Sequence, residues 1–487
     1  MFGIGVSLDS SGLQKRDGDN GMEGLYRLLP VPVQNLACTL YGFRERRVRL
    51  SRFFWDRYEW LLQTEGASTD EIRAYQDEQV ALLIEHAYNN VPYYRRVMDE
   101  RGLKPKDIVS VQDLRKLPVL LKEDVVGKRA DFLSSATNQR QLVPSKTSGT
   151  TGTALVFFKS KEAVAFQWAV WWRHRSRFGF RPLTWHLNFT GRPVVPASQS
   201  SPPYWRWNLP MRQALISMQQ LRPDRVVELA KFVDSHRFPY FTGYPSFIHM
   251  FAYLLEDRGI ELHSHPQYVF LGAENTYDFQ REAIERVLKT RVTDQYGFSE
   301  GAGNASKCEY GVYHEDWEFG VLECGDPTVM ADGAVRGKIV ATGFANYAFP
   351  FIRYEVGDTA VWAPPGYQCP CGRQSRVILR IEGRTEDYVI TPEDMRVMRF
   401  DYLFKDTESI REAQVVQREE GSIVIRVVKR PTYSRTVEDH IREKVRNWIS
   451  PSLKVYFEYV DEIPRSRSGK FRAVVSELSG REAFSSD

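Results

Sequence analysis

From Leu142 onward the chain alternates short runs of β-branched and aromatic residues with amphipathic helical stretches, and this limits the fold more than any other feature. The runs ALVFF, PYFTGY, QYVFLGAE, RVTDQYGF, GKIVAT and DTAVWA have strand length. RVVELAKFVDSH and FQREAIERVLKT, set among them, repeat apolar residues at helical spacing. Alternation of this kind predicts an α/β fold with mixed or parallel sheets and flanking helices. Ahead of it, Leu36 to Gly102 has a helical pattern that breaks at Asn89, Asn90 and Pro92. The segment KPKDIVSVQDLRKLPVLLKEDV then predicts short helices joined by Pro-marked turns. Beyond Gly383 a smaller α+β unit is expected. AQVVQREEGSIVIRVVKR is a hairpin with Glu420–Gly421 at its turn, VEDHIREKVRNWI an amphipathic helix and VYFEYVDEIP a further strand.

The expected organisation is a loose arm over 1–35, a large multi-subdomain body over 36–383 and a small mobile domain over 384–487. The first twenty residues of the arm are rich in Gly, Ser and Asp, and the body opens with a helical region over 36–130. At 487 residues, 42% hydrophobic and 26% charged, the chain buries a sizeable core, which excludes wholesale disorder. The richest apolar run, Ala163 to Trp172, contains a Gln and stops at Arg173. It is far short of the roughly 20 apolar residues a membrane span needs. Formal charge is +4, from 66 basic and 62 acidic residues, too balanced to predict nucleic acid or anionic lipid as the main partner. In AFQWAVWWRHRSRFGFRP, Trp168, Trp171, Trp172 and Phe178 are expected to line a helix face on the core and not to stack on bases. The start, MFGIGVSLDSSGLQKRDGDN, does not have the pattern of a secretion signal. Five cysteines, an odd number, make no disulfide framework, and a reducing cytoplasm is the expected compartment.

Two local constellations carry chemistry. Thr147, Ser148, Gly149, Thr150, Thr151 and Gly152 stand beside Lys146 and directly before the strand ALVFF. Glycines let backbone N–H groups approach an anion, and hydroxyls add donors to phosphate oxygens. The spacing is not the Walker pattern, which requires GK[ST] leading into a helix. Separately, Cys308 and His314 form C-x5-H, and Cys369 and Cys371 form C-x-C between Pro and Gly. Three thiolates and an imidazole make a closed tetrahedral zinc set, predicting a structural metal that clips two loops together. Cys38 and Cys324 are expected to be small buried hydrophobes.

TSGTTGT closely resembles the phosphate loop of the adenylate-forming ligases, the superfamily of acyl-CoA synthetases, peptide-synthetase adenylation domains and luciferases. Four further segments follow in that superfamily's order: YGFSE (Tyr296 to Glu300), RYEVGD (Arg353 to Asp358), EGRTED (Glu382 to Asp387) and PRSRSGKF (Pro464 to Phe471). The likeness covers about Leu36 to Leu478. Within the superfamily the chain most resembles the phenylacetate–CoA ligase-like branch and, closest, CapK-type proteins associated with capsular polysaccharide biosynthesis. AYNNVPYYRRVMDERG, LPVLLKEDV, PPYWRWNLPM, FTGYPS and IPRSRSGKFRAVVSEL carry that closer likeness.

The resemblance implies an enzyme that activates a small carboxylic acid with ATP and Mg²⁺. The Ser148–Thr151 loop would cradle the β- and γ-phosphates, and Glu300 would hold the Mg²⁺. Tyr296, Gly297 and Phe298, next to Ser299, would pack against adenine and the acyl group, with Glu274 and Asn275 on a second adenine-side loop. Asp358 would accept both ribose hydroxyls and Arg384 would reach the ribose–phosphate region. Lys470 would bridge the attacking carboxylate and the α-phosphate, and Glu386, where the family usually has Asp, would be the hinge of the small domain. Phenylacetate–CoA ligases follow the hinge with a Gly- and Asn-containing loop that admits pantetheine. Here the segment reads VITPEDMRVMRFDYLFKD, so coenzyme A, an amine, a hydroxyl and a carrier-protein thiol all stay open as acceptors. Neither the carboxylic acid nor an oligomeric state is specified.

Overall fold

The computed structural model describes residues 25–146, 155–196, 198–383, 388–397, 400–404, 407, 409–463 and 473–478. Four helices open it, Val31–Arg49, Arg52–Gln63, Thr69–Asn90 and Pro92–Glu100. The third starts at a capping box: Ser68 Oγ accepts from the Glu71 N–H, and the Glu71 carboxylate accepts from the Ser68 N–H. It stops where Pro92, which has no N–H to donate, takes the first position of the next helix. Residues 25–35, expected in a loose arm, are instead docked on the body. The Gln34 amide donates to the carbonyls of Tyr26 and Leu29 at 3.1 and 2.9 Å, and Arg206 Nε donates to Gln34 Oε1 at 2.8 Å. Two short helices, Lys122–Val125 and Arg129–Phe132, end the helical region.

The body is then built on strands. β1 (Val143–Lys146) and β2 (Val156–Lys159) pair antiparallel. The next twelve form one sheet. They are β3 (His186–Thr190), β4 (Arg206–Asn208), β5 (Gln213–Ser217), β6 (Tyr240–Gly243), β7 (Tyr268–Gly272), β8 (Arg291–Gly297), β9 (Asn304–Lys307), β10 (Tyr313–Glu315), β11 (Gly320–Val329), β12 (Val335–Gly343), β13 (Tyr354–Trp362) and β14 (Val377–Gly383). Their spatial order is β11-β12-β13-β14-β10-β9-β8-β7-β6-β3-β5-β4. From β5 through β3, β6 and β7 to β8 the strands are parallel. From β8 to β11 every pairing is antiparallel. The parallel half needs crossovers, and the helices Val226–His236, Pro245–Asp257 and Asp278–Leu288 supply them, burying Leu229, Phe251 and Ile284 against the sheet.

After Gly383 the chain forms a separate small layer. β15 (Val389–Ile390) and β16 (Arg396–Val397) pair as a short hairpin. β17 (Ile410–Gln417) and β18 (Ser422–Lys429) form the expected longer one, turning at Gly421 with φ +73°. The helix Arg435–Trp448 buries Ile441 and Val445 and returns the chain to β19 (Lys454–Tyr459), parallel to β18. β20 (Val474–Ser476) closes the sheet beside β17. The architecture is therefore α/β, a large mixed-sheet body with a small α+β C-terminal unit, as the alternation implied.

The helix Lys161–Arg177 crosses behind the large sheet, capped by Ser160 Oγ accepting from the Ala163 N–H at 3.0 Å. Trp172 is buried, Trp168 and Trp171 are half-buried, and Phe178 packs on Tyr268 and Phe270, the core role expected of these aromatics. On the same helix Arg173 is fully buried. Its guanidinium donates to Glu318 Oε1 and Asp316 Oδ1, each at 2.6 Å, and lies 3.3 Å from Glu65. Burial alone would raise the Glu65 carboxyl, but Arg177, Arg173 and Arg373 outweigh it and hold the group down at about 2. Removing one partner of a buried ion pair strands the other's charge, so Arg173→Ala should lower the free energy of unfolding by about 3–5 kcal/mol. The exposed pair Arg96–Asp131 should contribute less than about 1 kcal/mol when broken. Urea titration of both variants checks the contrast. A carboxyl depressed in the folded state stabilises above its unfolded value of about 4.3 and loses that contribution as pH falls toward 2. The gap in urea midpoint between the native chain and Glu65→Gln should accordingly narrow between pH 6 and pH 3.

Candidate active site

In open α/β sheets ligands bind beyond the carboxyl ends of the parallel strands. Here that edge gathers the exits of β6, β7 and β8. After β7 the chain turns through Ala273, held at φ +68°, a left-handed conformation costly for a residue with a Cβ and concentrated at functional loops. The turn delivers Glu274 and Asn275. Glu274 Oε2 accepts from the Ser246 hydroxyl at 2.7 Å and from its N–H at 3.2 Å, locking the β7 exit to the first turn of the helix after β6. Asn275 Nδ2 donates to the Glu382 carbonyl at 3.3 Å, reaching the end of β14. These two residues brace the edge of the crevice.

At the end of β8 the Tyr296 hydroxyl donates to Asp358 Oδ2 at 2.8 Å. Asp358 owes its direction to a bulge in β13. Lys338 faces Thr359 while Val340 faces Glu355, so Val356, Gly357 and Asp358 together oppose the single residue Ile339. Gly357 takes φ +93° to allow this, and such bulges re-aim a side chain next to active sites. Phe298 is half-buried against the core and Ser299 is exposed. Glu300 is buried, and its Oε1 accepts from the Tyr354 hydroxyl at 2.9 Å. A third group, Lys159 at the end of β2, joins them. It is buried and donates to Gln167 Oε1 at 3.0 Å; burial pulls its ammonium down to about 8 while Glu300 pulls it back up. Gly301, at φ +69°, approaches so closely that a Cβ there would lie 3.3 Å from Lys159 Nζ.

The fold thus assembles Tyr296 with Asp358, and Glu300 with Tyr354 and Lys159. Thr147, Ser148, Gly149, Thr150, Thr151, Gly152, Arg384, Glu386 and Lys470 lie outside the described residues. Their flanks do not: β1 and β2 bracket the glycine–hydroxyl loop, and Gly383 pairs with Thr359, one residue beyond Asp358. Sequence reasoning missed Lys159 and Tyr354, although signals were there. A lysine ending the apolar run VFFK is unusual in a strand interior, and Tyr354 lies within the RYEVGD segment that also carries Asp358.

A second cluster lies where β9, β10 and β14 meet. β9 and β10 form a hairpin whose turn starts at Cys308, with the Gly311 N–H donating to the Cys308 carbonyl at 3.0 Å, and His314 follows on β10. Cys369 and Cys371 sit on the turn before β14, which pairs with β10 at His314–Val377. The four ligand atoms lie within 4.8 Å of one another. Cys308 and Cys369 Sγ are 3.8 Å apart, and Cys371 Sγ is 3.1 Å from His314 Nε2. An S–S bond needs about 2.05 Å, whereas a tetrahedral ion with Zn–S bonds of about 2.3 Å has edges of about 3.8 Å. The donor set fits such an ion, with no position left for a substrate. Cys38 is buried and Cys324 half-buried, with no part in the cluster.

Residues 389–477 match the CapK C-terminal domain family. The chain is 23% identical over 462 residues to Protein CapK of Staphylococcus aureus, covering 93% of this chain and 99% of that protein. It is 26% identical over 463 residues to the phenylacetate–coenzyme A ligase of Thermus thermophilus, covering 85% and 98% of the two chains. Its backbone also resembles 2-hydroxyisobutyryl-CoA ligase solved with 2-HIB-AMP and CoA, at TM-score 0.58 and 19% identity over 87% of this chain and 92% of that one. No helix among the described residues is long and apolar enough to cross a membrane. Over nearly its whole length the chain is thus similar to Protein CapK and to a phenylacetate–coenzyme A ligase, on a fold shared with an acyl-CoA ligase, which supports a CapK-related, phenylacetate–CoA ligase-like relationship within the adenylate-forming ligases.

Proposed function

We propose that the protein activates a small carboxylic acid with ATP, forming an acyl-adenylate and releasing pyrophosphate, and then passes the acyl group to an acceptor. The observation that carries this reading is the Tyr296–Asp358 hydrogen bond beside the buried Glu300–Tyr354 pair, at the carboxyl edge of β8. An aromatic ring and a carboxylate suit a nucleoside, because a carboxylate can accept hydrogen bonds from ribose hydroxyls and Tyr296 orients it. Glu300 offers Mg²⁺ a hard oxygen ligand, and the ion, when bound, would offset charge on the phosphates. The loop Thr147 to Gly152 would cradle the β- and γ-phosphates, and Arg384 would reach the ribose–phosphate region. In the chemical step a carboxylate oxygen attacks the α-phosphorus and the bond to the pyrophosphate oxygen breaks. Lys470 would meet the charge that develops there, carried in as the small domain turns about Glu386.

A second reading concerns the acceptor. The segment that would admit pantetheine folds here as the β15–β16 hairpin, pinned by Tyr253 donating to the Glu393 carbonyl at 2.7 Å and by Ser450 donating to Glu393 Oε1 at 2.9 Å. With the CapK C-terminal domain match over the same residues, this favours an amine, hydroxyl or carrier thiol over coenzyme A. The Cys308, His314, Cys369 and Cys371 cluster belongs to the proposal as a structural zinc centre. It would hold the hairpin that follows Glu300 to the turn that precedes β14.

Pyrophosphate exchange with a panel of aryl, alkyl and sugar acids should reveal at least one substrate, and silence across the panel would defeat the ligase reading. Lys470→Ala should slow adenylation on the order of 10²–10³-fold, the usual cost of one lost transition-state charge contact. Asp358→Ala should chiefly raise the KM for ATP. Thioester formation on adding coenzyme A at rates matching adenylation would reverse the acceptor assignment. Protein purified without chelators should carry about one zinc per chain, and Cys371→Ser should lower the thermal midpoint more than the low-temperature adenylation rate. Metal content well below stoichiometric would leave the cluster as four packed side chains.

A further inference from the structure

The helix Val31–Arg49 presents two unlike faces. One side is packed: Gln34, Cys38, Gly42 and Glu45 are buried, and Gly42 sits so close to Asn208 that no Cβ would fit. The other side carries Val33, Leu36, Leu40 and Phe43 at spacings of three, four and three, one continuous stripe along the helix. These residues are 41, 56, 54 and 55% exposed. Single exposed apolar residues need no explanation, but a stripe of four aligned ones marks a contact surface.

Charge selects the partner. Between Leu25 and Trp55 the chain has six arginines and a single acid, Glu45. Glu45 is turned inward, where it pairs with Arg49 at 2.6 Å and Arg192 at 3.0 Å, so it does not offset the outer arginines. Arg44, Arg46 and Arg47 are exposed in the turns that end the stripe, and Arg47 falls on its line, four residues after Phe43. The spacing would also suit pairing with a second copy of the helix, but such a pair needs opposite charges beside its seam and this segment exposes only arginines. An apolar stripe with arginine at its end suits a bilayer interface, the side chains entering the acyl boundary while the guanidinium groups meet phosphate headgroups.

We infer that the outer face of the helix Val31–Arg49 is a docking surface for an anionic phospholipid membrane. The chain's balanced net charge hides this, because the excess is local. Docking there would leave the carboxyl edge of β8 to its own chemistry, so the inference stands or falls apart from the ligase reading.

Co-sedimentation of the full chain with vesicles tests it. Vesicles of phosphatidylcholine with a third phosphatidylglycerol should bind the protein, pure phosphatidylcholine vesicles should bind far less, and raised salt should weaken the difference. The variant Leu36→Ser/Leu40→Ser/Phe43→Ser and the variant Arg44→Glu/Arg47→Glu should each lower binding at least about tenfold. Both change exposed side chains, and circular dichroism with the thermal midpoint checks that they fold. Amide exchange within residues 31–49 should slow when anionic vesicles are added to the native chain. Absence of binding, equal binding to both vesicle types, or unchanged binding by the serine variant would overturn the inference. So would light scattering that shows a dimer in solution which the serine variant converts to monomer, since the stripe would then belong to a second copy.

Discussion

A single buried guanidinium organises the body. Arg173 stands on the helix that follows the glycine–hydroxyl loop and β2, and binds Asp316 and Glu318 on the bend between β10 and β11. A charge this deep is tolerated only where its donors are met, and the same carboxylates carry the contact outward. Asp316 accepts from Asn304 and Ser306 on β9, and Asn304 accepts from Trp171, two residues before Arg173 on the same helix. Glu65 joins Arg173 to Arg177 and to Arg373, which lies two residues after Cys371. One network thus spans the first helices, the hairpin beside Tyr296 and the thiol cluster. Loops that bury little apolar surface of their own are held by it.

The candidate site is arranged on that frame by backbone devices more than by packing. The bulge at Val356–Asp358 turns a carboxylate toward Tyr296, and the left-handed Ala273 swings Glu274 onto the helix after β6. Both depart from ideal geometry, as is common where a chain gives up regularity to aim a functional group. Glu300 and Lys159 form the polar floor. Burial lowers the Lys159 ammonium to about 8, and the nearby Glu300 carboxylate acts in the opposite direction.

The large sheet's change from parallel to antiparallel at β8 explains why so much chemistry collects there. Parallel strands send their exits to one edge, while the antiparallel strands bring β14 and β13, from far along the chain, into the same sheet beyond β9 and β10. Tyr296 and Asp358 meet across sixty-two residues by this route, and Cys308 and Cys369 across sixty-one.

Local chemistry was legible in the residues. The α/β alternation, the break at Pro92, the hairpin at Gly421, the order of the ligase-like segments and the C-x5-H and C-x-C pairs follow from side-chain type and spacing, which act over a few residues. What needed the tertiary structure involves distance along the chain. The sheet order, the bulge that aims Asp358, the pairing of Glu300 with Tyr354 and the burial of Lys159 follow from which strands become neighbours. The docked start of the chain is a second case. Its pattern showed a helix, and the residues before it were expected to hang loose because nothing local announces that Gln34 will meet Arg206. The same helix shows the limit from the other side. Its apolar positions could be read as core, and only the packed neighbours reveal that Leu36, Leu40 and Phe43 face outward. Sequence determines what each segment can bury; the choice of which face is buried belongs to the elements that arrive from elsewhere in the chain.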